Sequence, residues 1–367
     1  MDMHEHHTPQ AKRADAPRPR TALVVGARGG WGGEMVSTLL ARGWQVRALA
    51  RGAPPRGAGQ LANLPGQSAQ HPRLQWVSGD AMRPDELQRA AEGVQAIVHA
   101  VNPPGYVRWH ELAMPMLRAS MAAAQTQGAR LMLPGNVYNY GPDAGTCVHE
   151  GAPQCPLTRK GRVRVEMEDA LQEAAARHGL RSLVLRAGDF FGGGGASSWF
   201  NTVMVRPGKP VSRVAEPHAP GVGHTWAYLP DATLAAVRLL ELDATSPGHL
   251  ALAERVHFKG HALADGRDLA RCVAQVVAEH TGRGVKISPV PWPLWMALAL
   301  VSPMLREVRE MRYLWQQPLS LDNQRLLDLL GDEPHTPLPQ AVAAALMRMG
   351  CLPTAAPGGE AKAASAH

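Results

Sequence analysis

The sequence predicts an α/β fold in which helices cover both faces of a doubly wound parallel sheet, with a smaller C-terminal substrate lobe. Near the N-terminus an apolar strand runs into a glycine-rich turn and an amphipathic helix. Short apolar strands then alternate with helices along the chain, which is typical of a parallel sheet. With 367 residues, 45% of them hydrophobic and 19% charged, the chain is long enough for one large domain and a second lobe.

The first strand, turn and helix carry the most informative pattern. Ala22 to Val25 form an apolar run suited to a buried parallel strand, and a second strand follows at Gln45 to Leu49. Gly26 allows a tight turn, Gly29 lets a pyrophosphate approach the backbone, and Gly32 lets the helix pack closely. This context predicts a dinucleotide-binding Rossmann fold. The contacts predicted beside these glycines are Arg28, Gly30 and Trp31.

The overall composition excludes several classes of partner. The net charge of +7 is spread along the chain, so nucleic acid is not expected, and an anionic cofactor or small-molecule substrate accounts for the positive balance. The four cysteines show no C-x-x-C spacing, which suits a reducing cytoplasm. The histidines show no H-E-x-x-H spacing, so no metal site is predicted.

Both ends of the chain are predicted to be disordered tails. Residues 1–20 contain no apolar core and therefore do not resemble a secretory signal. Their histidines, His4, His6 and His7, are interpreted as part of a polar tail rather than as metal ligands. Residues 353–367 have a similarly biased composition.

A charge-free segment at residues 287–305 approaches the length of a membrane span. Four prolines interrupt it and leave a helix only from Leu294 to Ser302, which is too short to cross a bilayer. We therefore predict no membrane association and a buried or lid-forming helix, with docking at a membrane surface as the alternative.

The remaining elements of the sheet follow in order. Two further strands are predicted at Leu74–Val77 and Ala96–Val101, with a short helix from Pro84 between them. A helix at residues 109–127 then leads into a fifth strand, Arg130–Leu133.

The G-x-x-G-x-x-G spacing resembles the short-chain dehydrogenase/reductase superfamily, and the chain length resembles its extended, epimerase/dehydratase-like branch. Members that bind NAD usually carry an acid at the end of the second strand, whereas here Ala50 is followed by Arg51. An acid would repel a 2′-phosphate and a guanidinium can bind it, with Arg28 as a second cation. The resemblance thus implies NADP rather than NAD; the alternative is that Arg51 merely solvates a loop.

The resemblance implies further cofactor contacts at the strand ends. Asp80, followed by Ala81, matches the aspartate that hydrogen-bonds the adenine. His99, Ala100 and Val101 match the place where the backbone passes under the cofactor, with His99 interpreted as a core histidine rather than a catalytic one. Weaker matches extend to about residue 350, at residues 183–192, 224–231 and 330–338. They imply an NADP-binding domain at 21–190 and a substrate lobe at 191–352, interleaved with the last elements of the main domain.

The catalytic pattern of the family is degenerate in this chain. Active members use a serine or threonine after the fifth strand and a Tyr-x-x-x-Lys further on, in which the tyrosine exchanges a proton with the substrate oxygen. Aligning Tyr140 with the Tyr-Gly of the family puts Asn136 at the serine, Lys160 at the tyrosine and Arg164 at the lysine. Asn136 can still bond a carbonyl, and Arg164 can supply charge but cannot exchange a proton.

The role of Lys160 stays open among three interpretations. The charge of Arg164 favours loss of its proton, so Lys160 is a candidate acid/base; it is also a candidate clamp for an acidic substrate. Otherwise Lys160, Arg162 and Arg164 form a solvated helix face. The candidate substitutes for the missing tyrosine are Tyr106, Tyr138, Tyr140 and Tyr228, of which Tyr140 is expected to pack at its turn.

These features predict an NADP(H)-binding oxidoreductase or epimerase/dehydratase-like enzyme acting on a carbonyl- or hydroxyl-bearing organic substrate. The alternative is a non-catalytic NADP(H) sensor. A deep cavity lined by Asn136, Lys160 and Trp199 would favour the enzyme. Residues 192–200 are expected to line the substrate pocket, with a plain connecting loop as the alternative. The resemblance also implies a homodimer, with the helices at 109–127 and 158–176 as the candidate interface.

Overall fold

The structure is a computed structural model that describes residues 20–52, 71–103, 109–193 and 198–353. Nearly all of both predicted tails, Tyr106 and residues 194–197 of the predicted pocket segment lie outside the described residues.

Seven parallel strands form the central sheet, which confirms the predicted doubly wound α/β fold. The strands of the chain are β1 Thr21–Val25, β2 Gln45–Ala50, β3 Leu74–Ser78, β4 Ala96–His99, β5 Arg130–Asn136, β6 Cys147–Val148, β7 Ser182–Ala187, β8 Asp189–Phe191, β9 Arg213–Glu216, β10 His224–Tyr228, β11 Ala253–Phe258, β12 His261–Leu263, β13 Lys286–Pro289 and β14 Ser320–Leu321. The central sheet has the order β11-β7-β5-β4-β1-β2-β3. The reversal of strand order beside β1 creates the crevice in which such sheets bind ligands.

The helices of the described residues are α1 Gly30–Ala41, α2 Pro84–Ala90, α3 Trp109–Gln127, α4 Arg159–His178, α5 Leu229–Thr245, α6 Asp268–Thr281, α7 Trp292–Leu298, α8 Pro303–Met311, α9 Gln324–Leu330 and α10 Leu338–Arg348. The bounds predicted for α3 are confirmed. Two predicted strand ends were wrong by more than one residue. β4 ends at His99, two residues early, and β5 continues to Asn136, because the register of β5 with β7 holds as far as Asn136 and Ala187.

Each face of the central sheet buries its own hydrophobic core. Along β1, Ala22 and Val24 contribute to one core, and Leu23 and Val25 to the other. Helices α1 and α5 cover the first face, and α2, α3 and α4 cover the second. Burial on both faces explains why β1 reads as an unbroken apolar run rather than as an alternating one.

The C-terminal half contributes both to the main sheet and to a second lobe. β11 pairs with β7 at the edge of the central sheet, although the sequence pattern did not predict this strand. Three small sheets, β12-β10-β8, β13-β9 and β14-β6, surround a third core. The segment after β7 contains a further short strand, β8, which leaves the central sheet and pairs with β10.

The charge-free segment contains most of β13, the helix α7 and the start of α8, so the single helix predicted from Leu294 to Ser302 was wrong. Ser302 lies between α7 and α8 and caps α8. Its Oγ accepts a hydrogen bond from the N–H of Leu305 at 3.4 Å. α7 contains no buried residue, and Leu294, Leu300 and Val301 are 57%, 75% and 78% exposed, so the predicted burial was also wrong. Within the described ranges, no helix has both the length and the apolar character that crossing a bilayer requires.

Candidate coenzyme cleft and active site

The glycine turn is built so tightly that side chains are excluded from it. Gly26 has φ +86°, and a Cβ there would lie 2.8 Å from the carbonyl carbon of Ala100. A Cβ on Gly32 would overlap the carbonyl oxygen of Gly26, and one on Gly29 would lie 3.3 Å from that oxygen. The absence of these side chains brings the first turn of α1 against the ends of β1 and β4.

A cavity of about 330 Å³, which we call the turn cavity, lies beside this turn. Arg28 and Arg51 are exposed residues in its lining. The Arg51 side chain makes no hydrogen bond or ion pair with the described residues. Asp80 also lines the cavity, where its Oδ1 accepts a hydrogen bond from the N–H of Met82 at 3.0 Å. The cavity therefore combines two cations and a carboxylate at the ends of β2 and β3.

A second cavity of about 150 Å³, which we call the inner cavity, adjoins the turn cavity. Val101 and Asn102 line both. The predicted cofactor contacts are thereby brought together along one cleft. Gly26, Arg28, Gly29, Arg51, Asp80 and Ala81 line the turn cavity, Gly30, Trp31 and Ala100 line the inner cavity, and Val101 lines both. Gly32 lines neither and acts through packing.

Asn136 lies at the end of β5 and lines the inner cavity. Its Oδ1 accepts a hydrogen bond from the N–H of Tyr138 at 3.1 Å and so caps the turn that follows the strand. Its amide nitrogen Nδ2 makes no hydrogen bond with the described residues, which leaves a donor for a ligand. A buried ion pair fixes this strand end. Arg186 donates to the carbonyl oxygen of Asn136 at 2.6 Å and to both carboxylate oxygens of Glu168 at 2.6 Å.

Arg164 and His99 bring one charged and one neutral group to the same cavity. The Arg164 guanidinium donates to the carbonyl oxygen of Pro134 at 3.1 Å and lies 5.1 Å from the ring centre of Trp109. His99 is hydrogen-bonded through Nδ1 to Ser120 Oγ at 2.8 Å. Burial, reinforced by the charge of Arg164, lowers the pKa of His99 to about 3, so this histidine is neutral at physiological pH.

The structure separates Lys160 from the cavity that Arg164 lines. Both residues are on α4, and Lys160 is only 4% exposed, but it does not belong to the described lining of the inner cavity. The interpretation of Lys160, Arg162 and Arg164 as a solvated helix face was wrong for two of the three, because Arg162 is exposed while Lys160 and Arg164 are buried.

The candidate substitute tyrosines have different surroundings. Tyr138 lines the inner cavity, and its hydroxyl oxygen accepts a hydrogen bond from Trp199 Nε1 at 3.1 Å. Tyr140 is buried, with its hydroxyl 3.2 Å from His257 Nε2, so its expected packing role is confirmed. Tyr228 ends β10 and is buried, which raises its pKa, and it does not line the inner cavity. Trp199 and Ser198 do line it, as expected for their segment.

Sequence reasoning missed one ionisable pair in the cavity wall. Asp189 lines the inner cavity, and its Oδ2 lies 2.9 Å from Nε2 of the buried His224. The two residues are 35 positions apart in the sequence. Their juxtaposition depends on the pairing of β8 with β10, and no local motif marks it.

Comparison with known proteins agrees with this geometry. Residues 26–150 match the family model described as NAD(P)H-binding, beginning at the first glycine of the turn. The chain therefore contains an NAD(P)-binding domain, which confirms the predicted class of cofactor. A dTDP-6-deoxy-L-talose 4-dehydrogenase (NAD(P)(+)) from Kitasatospora kifunensis is 27% identical over 190 residues, which cover 48% of this chain and 54% of that protein. The chain thus spans about half the length of this curated relative.

Solved structures of similar fold cover most of the chain. UDP-glucose 4-epimerase from Brucella ovis in complex with NAD superposes with a TM-score of 0.68 at 16% identity, covering 90% of this chain and 98% of its own. UDP-glucuronic acid 4-epimerase from Bacillus cereus, also with NAD, gives 0.66 at 15% identity and the same coverage. The dTDP-glucose 4,6-dehydratase DesIV from Streptomyces venezuelae gives 0.64 at 18% identity, covering 89% and 96%. At these identities the likenesses establish the fold of the chain.

Proposed function

We propose that this protein is an NAD(P)(H)-dependent oxidoreductase or epimerase/dehydratase-like enzyme that acts on a hydroxyl- or carbonyl-bearing sugar nucleotide. The observation that carries the proposal is that Val101 and Asn102 line both cavities, so that the two adjoin. A dinucleotide along the glycine turn would reach from the turn cavity toward the inner cavity, where polar and charged side chains surround the remaining space.

The turn cavity fits a coenzyme with a 2′-phosphate. Arg51 lies where β2 ends, is exposed, and makes no competing ion pair with the described residues. A guanidinium in that position can bind a phosphate dianion with two hydrogen bonds, and Arg28 adds a second positive charge. The absence of an acid at this strand end supports NADP(H) over NAD(H). When bound, the nicotinamide would supply hydride chemistry.

The inner cavity fits a substrate with a reacting oxygen. The amide Nδ2 of Asn136 is available to donate a hydrogen bond to that oxygen, and Arg164 supplies a fixed cation. The proteins that resemble this chain act on dTDP- and UDP-sugars, and this supports a sugar nucleotide as the substrate class. Lys160 is buried and outside the described lining, which does not favour direct proton exchange with the substrate.

The direct test is coenzyme binding followed by turnover. Calorimetric titration should show that NADPH binds at least about tenfold more tightly than NADH, the effect of one additional charged hydrogen bond. Absorbance of the reduced nicotinamide should then report turnover with a panel of dTDP- and UDP-hexoses. Coenzyme binding without turnover across the panel would instead support the sensor, and failure to bind either coenzyme would contradict both.

A pair of packed helices and the four cysteines bear on the assembly and the compartment of the protein. The packed pair α3 and α4 is the candidate face for a homodimer, which light scattering of the purified chain would detect. All four cysteines are thiols in the structure, and this supports a reducing compartment such as the cytoplasm.

A further inference from the structure

The inner cavity lacks the tyrosine and lysine of the family it resembles, but another ionisable pair lies in its wall. Asp189 begins β8, is only 4% exposed, and lines the cavity together with Asn136 and Arg164. His224 begins the neighbouring strand β10 and is also buried. Its Nε2 lies 2.9 Å from Asp189 Oδ2.

Hydrogen bonding fixes the number of protons on this pair. His224 Nδ1 lies 3.2 Å from the carbonyl oxygen of Leu314, and because a carbonyl only accepts, Nδ1 must carry a hydrogen. Nε2 faces a carboxylate oxygen, so a second proton lies between Nε2 and Asp189 Oδ2. A doubly protonated imidazole is a cation, and its pairing with a carboxylate makes the unit neutral as a whole.

A neighbouring histidine does not carry a competing charge. The ring of His218 lies 4.8 Å from that of His224, and its Nδ1 is 2.7 Å from Glu216 Oε1. Burial lowers the pKa of His218 against the opposing bond to Glu216, and the charge of His224 lowers it further. The lowered pKa therefore leaves His218 uncharged at neutral pH.

The remaining groups near Asp189 leave this side chain accessible from the cavity. Burial and the negative charges of Asp189 and Glu310 raise the pKa of Tyr313, so that phenol is neutral. Arg164 is the other charged side chain in the described lining of the inner cavity. Asp189 Oδ1 makes no hydrogen bond with the described residues and is the oxygen left to meet a ligand.

We propose that Asp189 is the proton acceptor of this enzyme and His224 its positioning residue, so that an aspartate–imidazolium pair stands in place of the family's tyrosine–lysine pair. The proposal rests on the proposed function. As a substrate alcohol is oxidised, the O–H bond breaks and its proton goes to Asp189 Oδ1. The C–O bond becomes double, and the hydride leaves the same carbon for the nicotinamide of NAD(P)⁺.

The charges balance as they do in the pair that is replaced. Before the step, the carboxylate and imidazolium cancel and the nicotinamide ring is positive. Afterwards the ring is neutral, Asp189 is protonated and the positive charge remains on His224. A tyrosinate beside a lysine undergoes the same change, and reduction of a carbonyl reverses each transfer.

The first arm of the test reads the proton on His224 without substrate. Nitrogen NMR of the full chain carrying isotope-labelled histidine should show one buried imidazole that stays doubly protonated through neutral pH. Asp189→Asn should convert that histidine to the neutral form. If no histidine remains doubly protonated at neutral pH, the ion pair does not exist and the proposal is overturned, whatever the enzyme's activity.

The second arm measures oxidation of the dTDP- and UDP-hexose panel with NADP⁺ and NAD⁺. Asp189→Asn should lower kcat by about 100-fold or more, the usual contribution of a general base, while the Kd for NADP⁺ changes less than about twofold. Glu216→Gln is the matched control, since it alters a buried carboxylate–histidine pair outside the described lining and should leave kcat within about threefold.

The third arm tests the positioning role of His224. His224→Gln keeps a donor for Asp189 but removes the cation, so the carboxylate holds its proton to higher pH. The acid limb of the kcat/KM profile should therefore move upward by about one pH unit, a shift that a purely structural role would not produce.

The possible outcomes distinguish the role of Asp189 from the proposed function on which it rests. Turnover by the wild type that Asp189→Asn leaves unchanged would overturn the role of Asp189 and leave the enzyme assignment intact. Coenzyme binding without turnover on any hexose would contradict both. Loss of turnover in Glu216→Gln equal to that in Asp189→Asn would show that the cluster acts only through packing.

Discussion

The glycine turn and the inner cavity lie at the same edge of one sheet, yet they constrain the sequence in different ways. The turn would bind its ligand through backbone groups. The sequence therefore shows this function as glycines, at positions where a side chain would not fit, within the seven consecutive residues Gly26 to Gly32. The inner cavity depends on side chains that arrive from separate elements, such as Asn136 on β5, Arg164 on α4 and Asp189 on β8. A site built from one continuous segment can be recognised in the sequence as a motif. A site whose residues come from separate elements cannot. We therefore expect the turn to tolerate no change and the inner cavity to permit exchange of its chemical groups.

The largest effect should come from filling the turn. In Gly32→Ala the new Cβ would overlap the carbonyl oxygen of Gly26, which belongs to backbone and cannot rotate away. We expect coenzyme affinity to fall by about 100-fold, or about 3 kcal/mol, as β1 and α1 are forced apart. Titration with NADPH, followed by coenzyme fluorescence, measures the loss.

Gly33→Ala is the matched control for this substitution. Its Cβ would meet Ala27 O at 3.4 Å, an ordinary contact, and alanine favours the helix by up to about 1 kcal/mol. Coenzyme affinity should therefore change less than about twofold. Equal losses at both positions would show that the turn is not the tight cradle that the structure describes.

The difference between the two regions also explains what the sequence could predict. The strands and helices from residue 21 to 127, and the cofactor contacts in the turn, follow from local apolar runs and glycine spacing. β11 was missed because its sequence, Ala253–Phe258, mixes charged and apolar residues, and its burial comes from its place at the sheet edge. The Asp189–His224 pair was missed for the same kind of reason, because strand pairing in the second lobe brings the two together.

The next largest effect should come from Asn136, where we expect a hydroxyl to be able to replace the amide. Asn136→Ala removes both the amide donor and the cap on Tyr138 N–H, and we expect kcat with a sugar nucleotide to fall by about 30-fold, or about 2 kcal/mol. Asn136→Ser keeps an oxygen for the cap and a donor for the substrate, so it should retain kcat within about fivefold. Equal losses in both variants would show that the amide itself is required.

A smaller effect should appear at Arg51, because its guanidinium is exposed. Arg51→Gln should weaken NADPH binding by about tenfold and leave NADH binding unchanged, since the lost contact involves only the 2′-phosphate. Arg89→Gln, an exposed cation on α2 paired with Asp85, is the control for a general change in charge. If the two variants weaken NADPH equally, the preference arises from the overall positive field instead.

The smallest effect concerns His99, at the junction of the two regions. Its pKa is lowered to about 3 by burial and by the charge of Arg164, whereas in the unfolded chain it titrates near 6.5. As the pH falls below the pKa that His99 has in the unfolded chain, the unfolded chain binds a proton at this residue and the folded chain does not. Acidification therefore lowers the free energy of unfolding. From pH 7.5 to 5.5 this residue should remove about 1.4 kcal/mol from the free energy of unfolding, measured by urea denaturation.

His99→Gln should abolish that share of the pH dependence, whereas His178→Gln, at the exposed end of α4, should leave it in place. An unchanged slope in His99→Gln would mean that the inner cavity is wet enough to solvate an imidazolium, and a cavity of that kind could not protect a hydride transfer from water.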